Sequence, residues 1–122
     1  MKTLLICEGY STGASLSEST GYPVAVAFNA GNLLAVGRKM RGQFPDAQII
    51  FAADDDFRTD GNPGLRYANE AAQAVAGIVA VPCFGDARPE GMTDFNDMYL
   101  LHGPEAVAKC IADAIEGGGQ HD

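Results

Sequence analysis

The chain has 122 residues, of which 47% are hydrophobic and 20% are charged, and this composition is typical of one globular domain with a sizeable core. Nowhere does it contain the roughly 18 to 20 consecutive apolar residues of a membrane-spanning helix. The apolar stretch after Lys2 is also too short for a secretory signal. We therefore expect a cytoplasmic protein with no membrane partner.

The charge balance limits what the chain can bind by itself. Its formal net charge is −8, from 16 acidic and 8 basic residues, whereas a domain that binds nucleic acid unaided usually carries a basic face. If the protein acts on polyphosphates, divalent metal must offset its acids and neighbouring protein must supply basic surface. The 3 cysteines are far apart and form no Cys-x-x-Cys pair, which favours reduced, mostly buried thiols over disulfides or a zinc site.

The N-terminal half alternates short apolar runs with helical patterns. Residues 3–7 predict a first strand, and the sequence Glu-Gly-Tyr-Ser-Thr-Gly at residues 8–13 predicts a tight turn into a helix. Residues 24–28 predict a second strand, after which Asn32 is placed to cap an amphipathic helix that ends at residues 44–46. The first strand therefore ends directly before a glutamate.

An acidic triplet follows the third predicted strand. Residues 48–53 are an apolar run, and Asp54, Asp55 and Asp56 come directly after it. Adjacent carboxylates repel one another and gain nothing from a core, so the triplet belongs in water or around a cation, and such oxygen ligands suit Mg²⁺ or Mn²⁺. Because alternate residues point the same way, Asp54 and Asp56 are the candidate metal ligands. The alternative is a solvated turn that caps the next helix.

The C-terminal half continues the alternation after a polar, glycine-rich loop and a helix. Residues 77–82 predict a fourth strand, and Thr-Asp-Phe-Asn-Asp at residues 93–97 leads into a short helix. Residues 104–115 predict the last helix. We expect one domain over residues 1–116, and a flexible tail over residues 117–122 in what is a fragment of a larger protein.

Strands that alternate with helices predict an α/β fold with a central, mainly parallel four-stranded sheet. Ligands of such sheets bind at the carboxyl ends of the strands. This rule brings together acids that are distant in sequence, namely Glu8, Asp54, Asp56, Asp94 and Asp97.

The order and spacing of these motifs resemble the Toprim domain, which DnaG-type primases, topoisomerases and some nucleases share. The likeness rests on strand-Glu-Gly near the N-terminus, a later strand that ends in Asp-x-Asp, and the acidic segment at residues 90–97. It is greatest to the Toprim segment of primases and primase-helicases from plasmids, phages and conjugative elements. The resemblance implies a Toprim-like, Rossmannoid three-layer fold over nearly the whole chain.

The resemblance also implies roles for the acids. Glu8 matches the family's general acid/base, the Asp-x-Asp pair matches its Mg²⁺ ligands, and Asp94 and Asp97 match acids that complete a second metal position. Which of Asp94, Asn96 and Asp97 contacts metal stays open, because bacterial primases commonly show Asp-Pro-Asp where this chain has Asp-Phe-Asn-Asp. From the residues alone, Asp94 and Asp97 are equally well explained as a helix cap with a first-turn acid.

Three further residues are candidates for binding phosphate or nucleotide. Gly9 and Gly13 allow the backbone to approach a ligand closely, at a helix N-terminus that offers N–H groups to a phosphate. Arg58 flanks the acidic triplet, although a salt bridge to a neighbouring carboxylate is the commoner arrangement for such an arginine.

The function that the resemblance implies is metal-dependent nucleotidyl transfer, in RNA primer synthesis for DNA replication of a mobile element. The expected partners are a single-stranded DNA template, nucleoside triphosphates, and other domains of the parent protein such as a zinc-binding or helicase domain. The alternatives are strand cleavage by a Toprim-type nuclease or topoisomerase, and a non-catalytic module that recruits DNA or a helicase. We expect the isolated domain to polymerise little, because it lacks a basic template groove.

Two other classes of protein deserve comparison. Gly-x-Ser-x-Gly at residues 9–13 matches the nucleophile elbow of α/β-hydrolases, with His102 as a possible triad member. That elbow follows a late central strand and needs an upstream oxyanion-hole loop, whereas only a handful of residues precede Gly9. A phosphoreceiver domain is also disfavoured, because strand one carries one acid instead of two and no lysine follows a fifth strand.

Overall fold

The structure, a computed structural model, describes residues 2–86 and 88–119. In chain order these residues form β1 Thr3–Cys7, α1 Tyr10–Thr20, β2 Val24–Val26, a 3₁₀ turn Ala30–Asn32, α2 Leu33–Gln43, β3 Gln48–Ala52, α3 Pro63–Val75, β4 Ile78–Ala80, α4 Phe95–His102 and α5 Pro104–Gly119. The alternation of strands and helices that the sequence predicts is confirmed.

The strands form a parallel sheet in the order β2-β1-β3-β4. The chain leaves β1 to form β2 on one side of it and then crosses over to form β3 on the other side. Cys7 lies opposite Ala52 at the carboxyl ends of β1 and β3. Because the direction of winding reverses between these two strands, their carboxyl ends border the crevice in which open parallel sheets bind ligands.

Alternate residues of the central strands build two apolar clusters, one on each face of the sheet. Leu5 and Ile50 pack with residues of α1, α4 and α5, whereas Ile6 and Phe51 pack with residues of α2 and α3. This period of two is a property of every strand, and near-continuous apolar runs are what a sheet covered on both faces requires. The domain is therefore an α/β fold with three layers, as predicted.

Several element boundaries differ from those that the sequence predicts. Helix α1 begins already at Tyr10, within the segment expected to be a turn, and β2 ends at Val26. Asn32 precedes α2 but its side chain makes no cap; it donates instead to the carbonyl of Ala27 at 3.0 Å. The capping residue is Asn29, whose Oδ1 accepts from the Asn32 N–H at 3.0 Å. The short 3₁₀ turn thus moves the cap upstream.

The last helix extends further than its apolar pattern predicts. Helix α5 continues through Gly119, three residues into the predicted tail, and residues 120–122 lie outside the described residues. A Cβ on Gly118 would lie 2.7 Å from Cγ2 of Ile78, so the helix packs closely on β4 at this point. Packing against the sheet overrides the low helix propensity of glycine.

In the part of the chain that the structure describes, every helix is too short or too polar to cross a membrane.

A candidate active site at the carboxyl ends of β1 and β3

Glu8 and Asp54 face each other where β1 and β3 end. Burial and the adjacent Glu8 carboxylate raise the pKa of Asp54 from its ordinary value of 3.8 to about 8, with smaller contributions from Asp94 and Asp56. The Oδ1 atom of Asp54 is buried and has no hydrogen-bond partner among the described residues. Two carboxylates cannot donate to each other, so this pair requires either a shared proton or a cation.

Asp94 acts on Asp54 from the loop before α4. Its charge raises the pKa values of Asp54 and of the buried Cys7 thiol, although burial has the larger effect on both. Burial also raises the pKa of Asp94 itself, and the backbone N–H of Asp97 opposes that shift. This edge of the sheet thus combines acids that follow β1 and β3 with an acid that precedes α4. These residues share one electrostatic environment although they are far apart in sequence.

Asp97 and Asn96 have structural partners. Asp94 and Asp97 form a capping box: Oδ1 of Asp94 accepts from the Asp97 N–H at 2.8 Å, and Oδ2 of Asp97 accepts from the Asp94 N–H at 3.2 Å. The same Asp97 oxygen accepts from the Thr93 N–H at 2.8 Å. Asn96 accepts a hydrogen bond from Ser15 on α1 at 2.7 Å. Asp94 is therefore the member of this segment whose charge acts on Asp54.

The other two residues of the triplet are bound by the chain that follows. Asp56 accepts from the N–H of Gly64, in the first turn of α3, at 2.8 Å, and its own N–H donates to the Asn62 side chain at 2.8 Å. Asp55 accepts from Asn62 Nδ2 at 2.7 Å and from Arg88 at 2.9 Å. A carboxylate at a helix N-terminus is stabilised by the helix dipole. Asp56 therefore combines helix capping with its place beside Asp54.

Gly64 permits this arrangement, and the sequence analysis missed it. A Cβ at this position would lie 2.7 Å from Oδ2 of Asp56 and 2.9 Å from Cβ of Asp54, and it would also meet the Asp54 carbonyl oxygen. The N-terminus of α3 thus lies directly against the triplet. The sequence does contain a signal for this close contact. A glycine directly follows the proline that starts the helix, at a position where a better helix former is expected.

Arg88 was also missed. Its Nε and Nη2 donate to the carbonyl of Met92 at 2.9 and 2.6 Å, and its Nη1 donates to Asp55. The guanidinium carbon lies 3.8 Å from the ring centre of Phe57 and 4.4 Å from that of Phe84. Arg88 therefore joins the triplet to the loop that leads into α4. A single arginine in an irregular loop has no periodicity that would reveal such a role.

The three candidate phosphate contacts occupy different environments. Gly9 is the extended N-cap of α1, whose first turn has no acidic residue and no side-chain cap. Gly13 donates its N–H to the Gly9 carbonyl at 3.0 Å, and a Cβ there would lie 2.8 Å from Val26, so it serves helix packing and its N–H is not available to phosphate. Arg58 pairs with Glu90 at 2.7 Å on the surface.

The hydrolase alternative lacks its geometry. Ser11 lies in the first turn of the regular helix α1, not at a sharp strand-to-helix elbow. His102 contacts the Phe84 carbonyl through Nε2 at 3.1 Å, and the described residues contain no hydrogen bond between Ser11 and a histidine. A nucleophile elbow needs both the strained turn and the neighbouring base.

The donor set fits a divalent ion that binds together with substrate. Among residues 2–86 and 88–119, no three Asp, Glu, His or Cys side chains form a ready cage for a metal ion. Mg²⁺ is commonly bound by only one or two carboxylates, with substrate phosphates and waters completing its shell. Asp54, with its unpartnered Oδ1, and the neighbouring Asp56 are a donor set of that size.

A sequence profile of the Toprim domain matches residues 3–105, from β1 to the start of α5. The chain belongs to the Toprim family. Two curated relatives, both described as DNA primase TraC of Escherichia coli, are 37% identical over 123 residues and 44% identical over 88 residues. The alignments cover 93% and 69% of this chain but only 12% and 6% of the relatives, so the chain corresponds to a small part of those proteins.

A solved structure has the same fold. It contains the bacteriophage T7 lagging-strand DNA polymerase with the primase domains of two gp4 subunits bound to an RNA/DNA hybrid and dTTP, and it superposes with a TM-score of 0.69. The match covers 93% of this chain and 55% of that chain at 23% sequence identity. Similarity at this level of identity concerns the fold alone.

Proposed function

We propose that this Toprim domain forms the acidic catalytic centre of a larger primase, which makes RNA primers on a single-stranded DNA template for replication of a mobile element. The observation that carries the proposal is the buried, unpartnered Oδ1 of Asp54 beside Glu8, at the topological switch point of the sheet. The relatives described as DNA primases supply the class of reaction.

Primer synthesis requires a 3′-hydroxyl group to attack the α-phosphorus of a nucleoside triphosphate. Bound Mg²⁺ or Mn²⁺ would stabilise charge on the phosphate oxygens, and Asp54 and Asp56 would hold it. Glu8 is the general acid/base in this scheme, because its carboxylate adjoins Asp54 and follows a strand that fixes its backbone. Burial and the neighbouring Glu8 raise the pKa of Asp54 to about 8, which favours a proton on this pair in the substrate-free protein.

The charge of the domain supports the assignment of catalysis to this domain and of template binding to other domains of the parent protein. With a net charge of −8, the chain repels a phosphate backbone wherever no cation intervenes. We therefore assign the basic template surface to other domains of the parent protein, such as a zinc-binding or helicase domain. The small share of the TraC relatives that the chain covers leaves ample sequence for such domains in proteins of that size.

The decisive experiment is a primer-synthesis assay on the full-length parent, with Glu8→Gln and Asp54→Asn as the test variants. Loss of general acid/base catalysis should slow synthesis by about 10² to 10⁴, and Asp54→Asn should raise the Mg²⁺ concentration needed for half-maximal rate. The matched control is Asp46→Asn, because Asp46 is exposed and precedes β3, at the opposite edge of the sheet.

Unchanged primer synthesis in both test variants would refute the proposed mechanism. A labelled duplex added to the same assay tests the alternative class of Toprim enzyme. If strand cleavage depends on Glu8 and no primer forms, the assigned function would change from nucleotidyl transfer to nuclease or topoisomerase-like activity.

A further inference from the structure

Two thiols from distant parts of the chain are in contact away from the acidic site. Sγ of Cys83 lies 3.5 Å from Sγ of Cys110, and the two residues are 27 positions apart. Both sulfurs approach the carbonyl of Val81, at 3.7 Å for Cys83 and 3.3 Å for Cys110. Cys110 is buried on α5, but Cys83 is exposed at the start of the loop after β4, which corrects the expectation for this residue.

We propose that Cys83 and Cys110 form a reversible intramolecular disulfide, which makes this pair a redox modification site. A disulfide is about 2.05 Å long, so the sulfurs need to approach by only about 1.5 Å. The proposal concerns a different part of the molecule from the acidic site and does not rest on primase activity.

The surroundings of the pair admit a small oxidant. Both thiols line a cavity of about 380 Å³ together with residues of α4 and α5, among them Met98, His102 and Lys109. Burial raises the pKa of the Cys110 thiol to about 12, and the neighbouring Cys83 adds to that shift. The thiolate is the attacking species in thiol–disulfide exchange, and the raised pKa of Cys110 disfavours its thiolate. The oxidant therefore reacts first with the exposed Cys83.

The chemistry balances with a small-molecule disulfide such as oxidised glutathione. The Cys83 thiolate attacks one sulfur of the oxidant, the S–S bond of the oxidant breaks, and the departing thiolate takes up the proton that Cys83 released. Cys110 then attacks the Cys83 sulfur of the mixed disulfide, and its proton goes to the second departing thiolate. Two protein thiols are oxidised and one glutathione disulfide is reduced to two thiols.

The disulfide would tether the loop after β4 to α5. Cys83 immediately precedes Phe84, and the same loop carries Arg88, which pairs with Asp55. The disulfide would therefore restrain the loop whose Arg88 pairs with Asp55 of the acidic triplet. It would also restrict the unfolded chain, so the oxidised protein should melt at a higher temperature than the reduced protein.

The test treats the folded chain with oxidised glutathione, then blocks free thiols and maps peptides by mass spectrometry. We expect a Cys83–Cys110 disulfide with Cys7 still free, so that the number of free thiols falls from 3 to 1, and dithiothreitol should reverse the change. The Cys110→Ser variant should stop at glutathione on Cys83, because no second thiol resolves the mixed disulfide. Cys83→Ser should not react.

Stable glutathione on Cys83 with free Cys110 in the wild-type chain would overturn the proposal. So would failure of Cys83 to react at all. Circular dichroism establishes that the variants are folded. If Cys110→Ser does not fold, the peptide map of the wild-type chain decides by itself, since it separates the internal disulfide from the mixed one.

Discussion

Arg88 binds Asp55 twice, through the carboxylate at 2.9 Å and through the main-chain carbonyl at 3.2 Å. Only 20% of the Arg88 side chain and 17% of the Asp55 side chain are exposed. The Asp55 N–H also donates to the Thr93 carbonyl at 2.7 Å. These bonds fasten the turn after β3 to the residue before Asp94, so they set the spacing between acids that come from different segments.

Arg88→Met should destabilise the domain by about 1 to 3 kcal/mol, because it leaves the largely buried Asp55 carboxylate without its cation. Urea unfolding followed by circular dichroism measures this change. The matched control is Arg58→Met, since the Arg58–Glu90 pair is 63% and 79% exposed and such pairs contribute about 0 to 1 kcal/mol. Equal effects in the two variants would contradict the structural role assigned to Arg88.

Gly64→Ala should destabilise the domain by about 1 to 3 kcal/mol, because the new methyl group would force α3 away from Asp54 and Asp56. It should also weaken Mn²⁺ binding, measured by electron paramagnetic resonance. Gly42→Ala is the control: Gly42 is exposed on α2, and a Cβ there meets nothing within 4 Å. That variant should be stabilised by up to about 1 kcal/mol, and a similar result for Gly64→Ala would argue against close packing.

The stability of the metal-free domain should fall as the pH rises through the range set by Asp54. In the folded protein its pKa is about 8, against an ordinary value of 3.8. Between these values the folded state holds a proton that the unfolded chain has lost, so the contribution to stability is complete below about pH 4 and disappears as the pH approaches 8.

The measurement is the free energy of unfolding in chelator-treated buffer at several pH values, for wild type and for Asp54→Asn. The difference between the two should shift in favour of the variant as the pH rises. Added Mg²⁺ should stabilise the wild type more at pH 8 than at pH 5, because the ion binds the deprotonated carboxylate. A difference that is independent of pH would show that Asp54 does not titrate in this range.

Asp94→Asn and Asp97→Asn should separate two roles that the sequence leaves open. Asp94 acts electrostatically on Asp54, so Asp94→Asn should weaken Mn²⁺ binding by the 122-residue chain and lower the pH at which Asp54 titrates. Asp97 accepts the Thr93 and Asp94 N–H groups, so Asp97→Asn should chiefly reduce stability, by about 0.5 to 2 kcal/mol. The reverse pattern would assign the metal contact to Asp97.

The strands and helices were largely predictable because each buries a face of its own. Period-two and period-3.6 patterns record that burial locally, and Pro63 marks the start of α3 correctly. One error is local: a 3₁₀ turn precedes α2, so Asn29 and not Asn32 supplies the cap. The other arises from a tertiary contact, because α5 continues to Gly119 where Gly118 packs on Ile78.

The sequence by itself determined the three-layer α/β fold, the family, and the grouping of acids at one edge of the sheet. Apolar runs that alternate with helical patterns predict parallel strands, and the carboxyl ends of parallel strands lie at the same edge. Only the tertiary structure decided how those acids differ. Asp54 has a buried, unpartnered Oδ1 and lies beside Glu8, whereas Asp55 forms an ion pair with Arg88 and Asp97 completes the capping box at the start of α4. Identical carboxylates acquire different properties because burial, charge and hydrogen bonding arise from residues that are distant in sequence.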